Sequence, residues 1–487
     1  EALAFIRSPE YLNTTSRQQW LAAAVVTGAP FEIWSGPVDM AFGIEYRSDD
    51  AEFVADPLLF SGDAVGFRPD SSIAGKETVY ELYAEAAATL WQSDRSDQKL
   101  DLEIGARWSD YDNAGSVTTW KAGLDWRVNN SLRFRSMLQH AVRAPNNAEL
   151  FLEQVIEEGQ FVGNNSEDPC SASQDPVGRG NADKCILQGL APSQLGVFEA
   201  TRFYPTTNIF GGNPNLEPES SDTFTLGFVV SPANIPELTI AVDYWDIEIT
   251  DTIGSISPRV LCFDPLNTQG LFCDNIRRDE TGNVAEVSST LQNRGILATD
   301  GIDVQLQYGR DLPTWMAAFD DWAELSVNAT LTHIMSLRTQ ENPISQVFEC
   351  EGTFGFPCGG GGNLFGAETI PENRMTANIN YASGPFTAHL TWRWIDGTDN
   401  AAPIGLPLFG ITEFTLAIPD IPAWNYFDLG LGYEWNDRLT MRFGVNNLFD
   451  KESPFMADWT WVNTDSQMYD VFGRTYYLNF RYQVTGD

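Results

Sequence analysis

The feature that most constrains this chain is a strict period-two alternation of apolar and polar residues, repeated in segment after segment. Tyr80, Leu82, Ala84, Ala86, Ala88 and Leu90 alternate with Glu81, Tyr83, Glu85, Ala87 and Thr89. Leu102, Ile104, Ala106 and Trp108 alternate with Glu103, Gly105, Arg107 and Ser109. Trp120, Ala122, Leu124 and Trp126 stand against Lys121, Gly123, Asp125 and Arg127, and Ile302, Val304, Leu306 and Tyr308 against Asp303, Gln305 and Gln307. Near the end, Phe427 to Trp435 and Tyr476 to Tyr482 repeat the pattern. An amphipathic helix places its apolar residues at i, i+3 and i+4, so only extended strands with one apolar face write such a sequence.

Water-soluble sandwiches alternate too, and two features separate them from a membrane wall. Many segments run for about ten residues or more, beyond a typical globular strand and close to what a tilted strand needs to cross a bilayer. Aromatics also gather toward the ends of the apolar rows, at Tyr80, Trp108, Trp126, Trp392, Trp394, Tyr433 and Trp435. An amphipathic ring prefers the headgroup level, so this distribution suits interfacial girdles. No stretch approaches the roughly 18 consecutive apolar residues of a spanning helix.

Connections fall into two classes. Turn formers mark tight links at Ser35 to Pro37, Asn129 to Asn130, Gly384 to Pro385 and Asn436 to Asp437. Long irregular stretches, near Asp49 to Ala74, Asn146 to Ser221, Ser257 to Gln292, Glu341 to Ile370, Ala401 to Ala423 and Ser453 to Val471, alternate with them. Transmembrane barrels have short periplasmic turns and longer outer loops, so the two classes identify two sides; the short link at Ala114 to Ser116 is an exception on the outer side. About fifteen strands result, from Arg17 to Trp34 through Phe472 to Val484. An odd antiparallel count does not close, which implies that further strands precede these. Against 29 Lys+Arg stand 67 Asp+Glu, a net charge of -38 that disfavours nucleic acid or an anionic surface as partner.

The segments RAPNNAELF (Arg143 to Phe151), NPNLEPESSDTF (Asn213 to Phe224), NRGILATDGIDV (Asn293 to Val304), VNNLFDKESP (Val445 to Pro454) and GRTYYLNFRY (Gly473 to Tyr482) occur in an order that resembles TonB-dependent outer-membrane receptors. The resemblance implies an all-β transmembrane antiparallel barrel, of which residues 1–487 would supply about fifteen of the family's about 22 strands. It further implies an N-terminal plug not visible in this sequence, an inner-membrane TonB complex as motor, outer-membrane lipid and lipopolysaccharide as surroundings, and a scarce small nutrient as cargo. In the VNNLFDKESP segment, Asn446, Asn447 and Asp450 suit side-chain bonds to local backbone, and Pro454 is expected to end the ladder. Pro214 and Pro218 are expected to stiffen the approach to the next strand.

All six cysteines lie in long outer connections, in three close pairs: Cys170 with Cys185, Cys262 with Cys273, and Cys350 with Cys358. Local closure is the simplest of the fifteen pairings, and an oxidising surface would preserve it. The spacings are unlike zinc pairs, and no metal or cofactor site is expected. Neither GxSxG, HExxH nor a Walker loop occurs, so the chain reads as a transporter and no catalytic residue is proposed. Lumen carboxylates Glu81, Glu85, Glu103, Asp125 and Asp303 are expected to meet Arg107, Arg127, Lys121, Arg133, Arg135, Arg442 and Arg481. Capture falls to loop aromatics: Phe203, Tyr204 and Phe210 in the longest loop, Phe409 and Phe414 before Trp424, and Trp459, Trp461 and Tyr469 in the last.

Overall fold

The computed structural model describes residues 11–60, 72–93, 97–160, 167–235, 237–255, 258–264, 266–340, 342, 346–355, 357–358, 369–405, 415–456 and 463–484. Fifteen strands form one antiparallel meander in which each pairs with its neighbours in chain order. They are β1 (Thr14–Ile33), β2 (Gly36–Val54), β3 (Ile73–Gln92), β4 (Lys99–Tyr111), β5 (Gly115–Asn129), β6 (Leu132–Arg143), β7 (Glu219–Val230) and β8 (Leu238–Thr250). The wall continues with β9 (Ile296–Leu312), β10 (Ala323–Gln340), β11 (Asn373–Ser383), β12 (Phe386–Ile395), β13 (Trp424–Asn436), β14 (Leu439–Asn446) and β15 (Thr475–Tyr482). Two-residue Phe348–Glu349 adds to the end of β10 off this path. Among the described residues β1 pairs only with β2 and β15 only with β14, so the wall has two open edges.

The strand count agrees with the sequence expectation, and so do the two classes of connection. Links 34–35, 130–131, 384–385 and 437–438 lie on one side, with the longer 93–98, 231–237 and 313–322. Opposite them lie 55–72, 112–114, 144–218, 251–295, 341–372, 396–423 and 447–474.

Register joins the apolar rows into one face. Ile44 lies opposite Leu82 and Leu82 opposite Trp108. Leu102 meets Leu124, and Trp126 meets Phe134, which meets Phe228. Farther on, Val242 meets Val304, and Leu431 meets Phe443, which meets Leu478. These side chains are not packed in a core: Leu82 is 52% exposed, Leu124 47% and Leu478 60%. Trp126 and Phe134 stack at 5.9 Å, and Trp392 and Phe427 at 6.0 Å, along the same surface.

The other face is charged and internally paired. Arg107 reaches Glu81 at 3.3 Å, Lys121 reaches Glu103 at 2.5 Å and Glu85 at 3.4 Å, and Arg133 forks onto Asp125. Among the described residues Arg127, Arg442 and Arg481 form none of the expected ion pairs, and two other groups pair differently from expectation. Arg135 goes to Asp243 at 2.6 Å, and Asp303 accepts from the Thr332 hydroxyl at 2.6 Å. Asp243 and Arg135 are two strands apart and meet across Gly227, where a Cβ would overlap the carboxylate. Side-chain length across a glycine decides this pairing, which alternation alone does not reveal. A cavity of about 960 Å³ runs along this face from Asp39 through Asp125 and Arg135 to Trp245 and Gln305. The polar face is therefore the concave one, and the apolar rows look outward.

Candidate functional site

The outer connections are folded bodies, and the buried apolar clusters among the described residues lie in them or at the strand ends beside them. One module joins connections 144–218 and 251–295. Its sheet runs Ile276–Arg278, Val284–Ser288, Pro205–Phe210, Val155–Gln160, with a parallel pair where the two connections meet. Cys170–Cys185 and Cys262–Cys273 are disulfides, as the sequence spacing suggested, the first buried beside Leu190 and Phe198, the second beside Ile276, Val284 and Val287, with Phe263 packed against both.

Between these disulfides sits an ion pair that sequence reading missed. Arg278 and Asp168 have side chains 0% and 1% exposed and meet at 2.7 Å. Arg278 also donates to Gln188 Oε1 at 2.7 and 3.0 Å and to the Gly282 carbonyl at 2.9 Å. Asp168 accepts from the Cys170 N–H at 2.9 Å, and the guanidinium lies 5.7 Å over the Phe198 ring. Burial of both charges is sustained because nearly every donor and lone pair has a partner. No local pattern marks two residues 110 positions apart as partners.

The second module joins connections 341–372 and 396–423 through the sheet Thr369–Ile370, Thr353–Phe354, Thr398–Asn400, Asp420–Ile421, and connection 447–474 packs against it through Met456 and Tyr469. Phe354, Ile395, Ile421, Tyr426, Met456 and Tyr469 form its core, and Cys350–Cys358 closes a further cluster with Phe348, Ile370 and Ala401. Arg393 at the top of β12 clamps Asp470 at 2.6 Å and lies 3.4 Å from Asp428, tying the last connection to the wall. Strand β14 ends at Asn446, eight positions before Pro454. The ladder stops instead where Asn447 turns left-handed at φ 52°, its side chain exchanging two bonds with Lys451. Asn213, just before Pro214, makes a turn bond, its side chain accepting from the Asn215 N–H at 2.9 Å.

The aromatic candidates separate into three groups. Phe203 and Tyr204 come together at one end of the Pro205–Phe210 strand, and Phe210 lies at the other end, about 20 Å away by strand rise. Phe203 is 46% exposed with its backbone at φ 59°, an uncommon conformation for a bulky residue that costs of order 1–3 kcal/mol. The Arg202 guanidinium stands 5.9 Å over its ring. The Tyr204 hydroxyl donates to Asp279 at 2.5 Å. That bond raises the Tyr204 phenol above its ordinary pKa. Burial pushes Asp279 up, but bonds from Thr281, Tyr204 and backbone outweigh it and hold the carboxyl below its usual range. Tyr469 is a correction: at 2% exposure it packs edge-on against Trp424 at 6.0 Å, a core ring that offers no face to a ligand. Phe409, Phe414, Trp459 and Trp461 lie outside the described residues.

A family model described as TonB dependent receptor-like, β-barrel, matches residues 3–448. The chain belongs to that family. Its fold is the family's outer-membrane β-barrel wall, and its place is the Gram-negative outer membrane. A probable TonB-dependent siderophore receptor, PirA of Acinetobacter baumannii, is 21% identical over 484 residues, covering 96% of this chain and 52% of that protein. The crystal structure of the siderophore receptor PirA from the same species superposes with a TM-score of 0.56 at 16% identity, over 96% of this chain and 55% of the other. A ferric enterobactin receptor from Pseudomonas aeruginosa gives 0.58 at 16% identity, over 96% and 54%. The chain thus spans about half the length of the relatives it matches.

Proposed function

We propose that this TonB-dependent receptor wall and its outer loops take up a scarce nutrient, a ferric chelate before an oligosaccharide, and pass it to the periplasm with energy supplied through TonB. The observation that carries the reading is the family match over residues 3–448, on a wall whose apolar rows face outward. Relatives named as siderophore receptors favour the chelate. In this reading the open edges at β1 and β15 meet further strands of the same barrel, and the charged concave face lies against a plug. The inner-membrane TonB complex and the surrounding lipid and lipopolysaccharide complete the set of partners, and we assign the chain no enzymatic role.

Capture falls to the outer loops. Phe203 with Arg202 above its ring presents an aromatic face beside a guanidinium, an arrangement suited to an aromatic or anionic chelate despite the acidic chain as a whole. Phe210, Phe409, Phe414, Trp459 and Trp461 remain further candidate contacts. Titration of the purified receptor with ferric siderophores of catecholate, hydroxamate and carboxylate type, alongside oligosaccharides, tests the reading. Saturable binding of one chelate class, weakened in Phe203→Ala or in Trp459→Ala with Trp461→Ala, supports it. Binding confined to oligosaccharides would move the cargo to the other class.

A further inference from the structure

Among the links on the short-turn side, 313–322 is the longest, and it carries four large apolar residues in the open. Trp315 is 80% exposed, Trp322 48%, and Met316 and Phe319 each 41%. Such a cluster on a water-facing turn would be an aggregation liability.

The segment is held in one shape. A short 3₁₀ turn spans Thr314–Met316. The Tyr381 hydroxyl donates to the Met316 carbonyl at 2.7 Å and accepts from the Ala318 N–H at 2.9 Å. The Ser383 hydroxyl sits within 2.5 Å of the Phe319 carbonyl and 3.0 Å of the Trp322 carbonyl, and accepts from the Phe319 N–H at 2.9 Å.

Its direction is fixed by what it touches. Tyr381, Phe386 and Tyr433 occupy the same face of the wall as Leu390, Leu429 and Leu431, the outward apolar face. Phe319 packs 5.7 Å from Phe386 and 5.7 Å from Tyr433, and Tyr433 lies 6.1 Å from the exposed Trp435. The link thus folds over the outside of the wall and extends the lipid-facing surface beyond the strands.

We propose that 313–322 is a rigid lipid-docking segment, lying in the headgroup–acyl boundary of the periplasmic leaflet with Trp315, Met316, Phe319 and Trp322 as its contacts. Aromatic and apolar side chains on a segment with fixed backbone suit that boundary, where one end of the ring is apolar and the other wet. Asp320 and Asp321 in the same link favour a zwitterionic over an anionic headgroup. The proposal rests on the reading that the outward face meets lipid.

Single cysteines at Met316, at Leu82 on the wall and at Val197 in an outer loop carry bimane in receptor reconstituted into phosphatidylethanolamine-rich vesicles. The six cysteines of this chain are all in disulfides, so each introduced thiol is the reactive one within it. Expected is strong quenching by acyl-brominated lipid at both Leu82→Cys and Met316→Cys, with iodide quenching at Met316→Cys several-fold below that at Val197→Cys. Bimane on Met316→Cys quenched by iodide as readily as on Val197→Cys, while Leu82→Cys stays lipid-quenched, overturns the docking segment alone. Loss of lipid quenching at Leu82→Cys as well overturns the membrane reading on which it rests.

Discussion

The wall and the outer-loop modules bury opposite things. In the wall, Leu82, Leu124 and Leu478 stand open while Glu81 is 4% exposed, its carboxylate accepting from Ser109 and paired with Arg107. In the loops, Leu190, Ile276 and the disulfides are covered and most charge lies at the surface, with Asp168, Arg278, Lys184, Arg294 and Asp465 as buried exceptions. One chain thus satisfies two solvents. Strand residues follow the rule for lipid, where apolar surface faces out, and loop residues the rule for water, where it is gathered in.

The largest expected effect separates the two bodies from the loop side. Asp168→Ala leaves the Arg278 guanidinium buried without its counter-charge, at a cost of about 3–5 kcal/mol to the module. Hydrogen exchange should show amides of 276–288 losing protection while β2 to β5 keep theirs. Equal loss in the wall would mean that the two are one cooperative unit.

Next comes the same comparison from the wall side. Leu124→Arg places a charge on the outward face between Trp120 and Trp126, and should cost about 2–4 kcal/mol in bilayer unfolding equilibria. Val197→Arg, in an exposed loop position, should change stability by about 0.5 kcal/mol or less. Similar costs at both sites would remove the distinction between the two solvents.

The sequence made the wall legible because a period of two survives in any strand with two unlike faces. Tyr80 to Leu90 and Trp120 to Trp126 needed no partner to be read, and count, sidedness and local disulfides followed. What stayed hidden depends on contacts far apart in sequence. Asp168 and Arg278, Arg135 and Asp243, and the burial of Tyr469 are set by how separate connections meet. An aromatic ring in a loop reads alike whether it is a binding platform, as proposed for Phe203, or a core residue, as Tyr469 proves to be.

A smaller effect refines the loop surface itself. Asp279 is held below its ordinary value of 3.8, so its contribution is full above that pH and is lost as pH falls through the lower folded value. In Tyr204→Phe one of the bonds that lowers it disappears, and the Asp279 titration followed by carboxyl NMR should move up toward the ordinary range. An unchanged titration would show that Tyr204 does not hold that carboxylate.

The most direct measurement is a nitroxide scan of positions 117–127 along β5 in lipid vesicles, comparing collision with oxygen and with a water-soluble nickel complex. The account predicts two out-of-phase waves of period two, oxygen highest at 120, 122, 124 and 126 and nickel highest at 119, 121, 123 and 125. Low access to both reagents at the even positions would mean that those rows face a dry protein interior, and the lipid-facing wall would be contradicted.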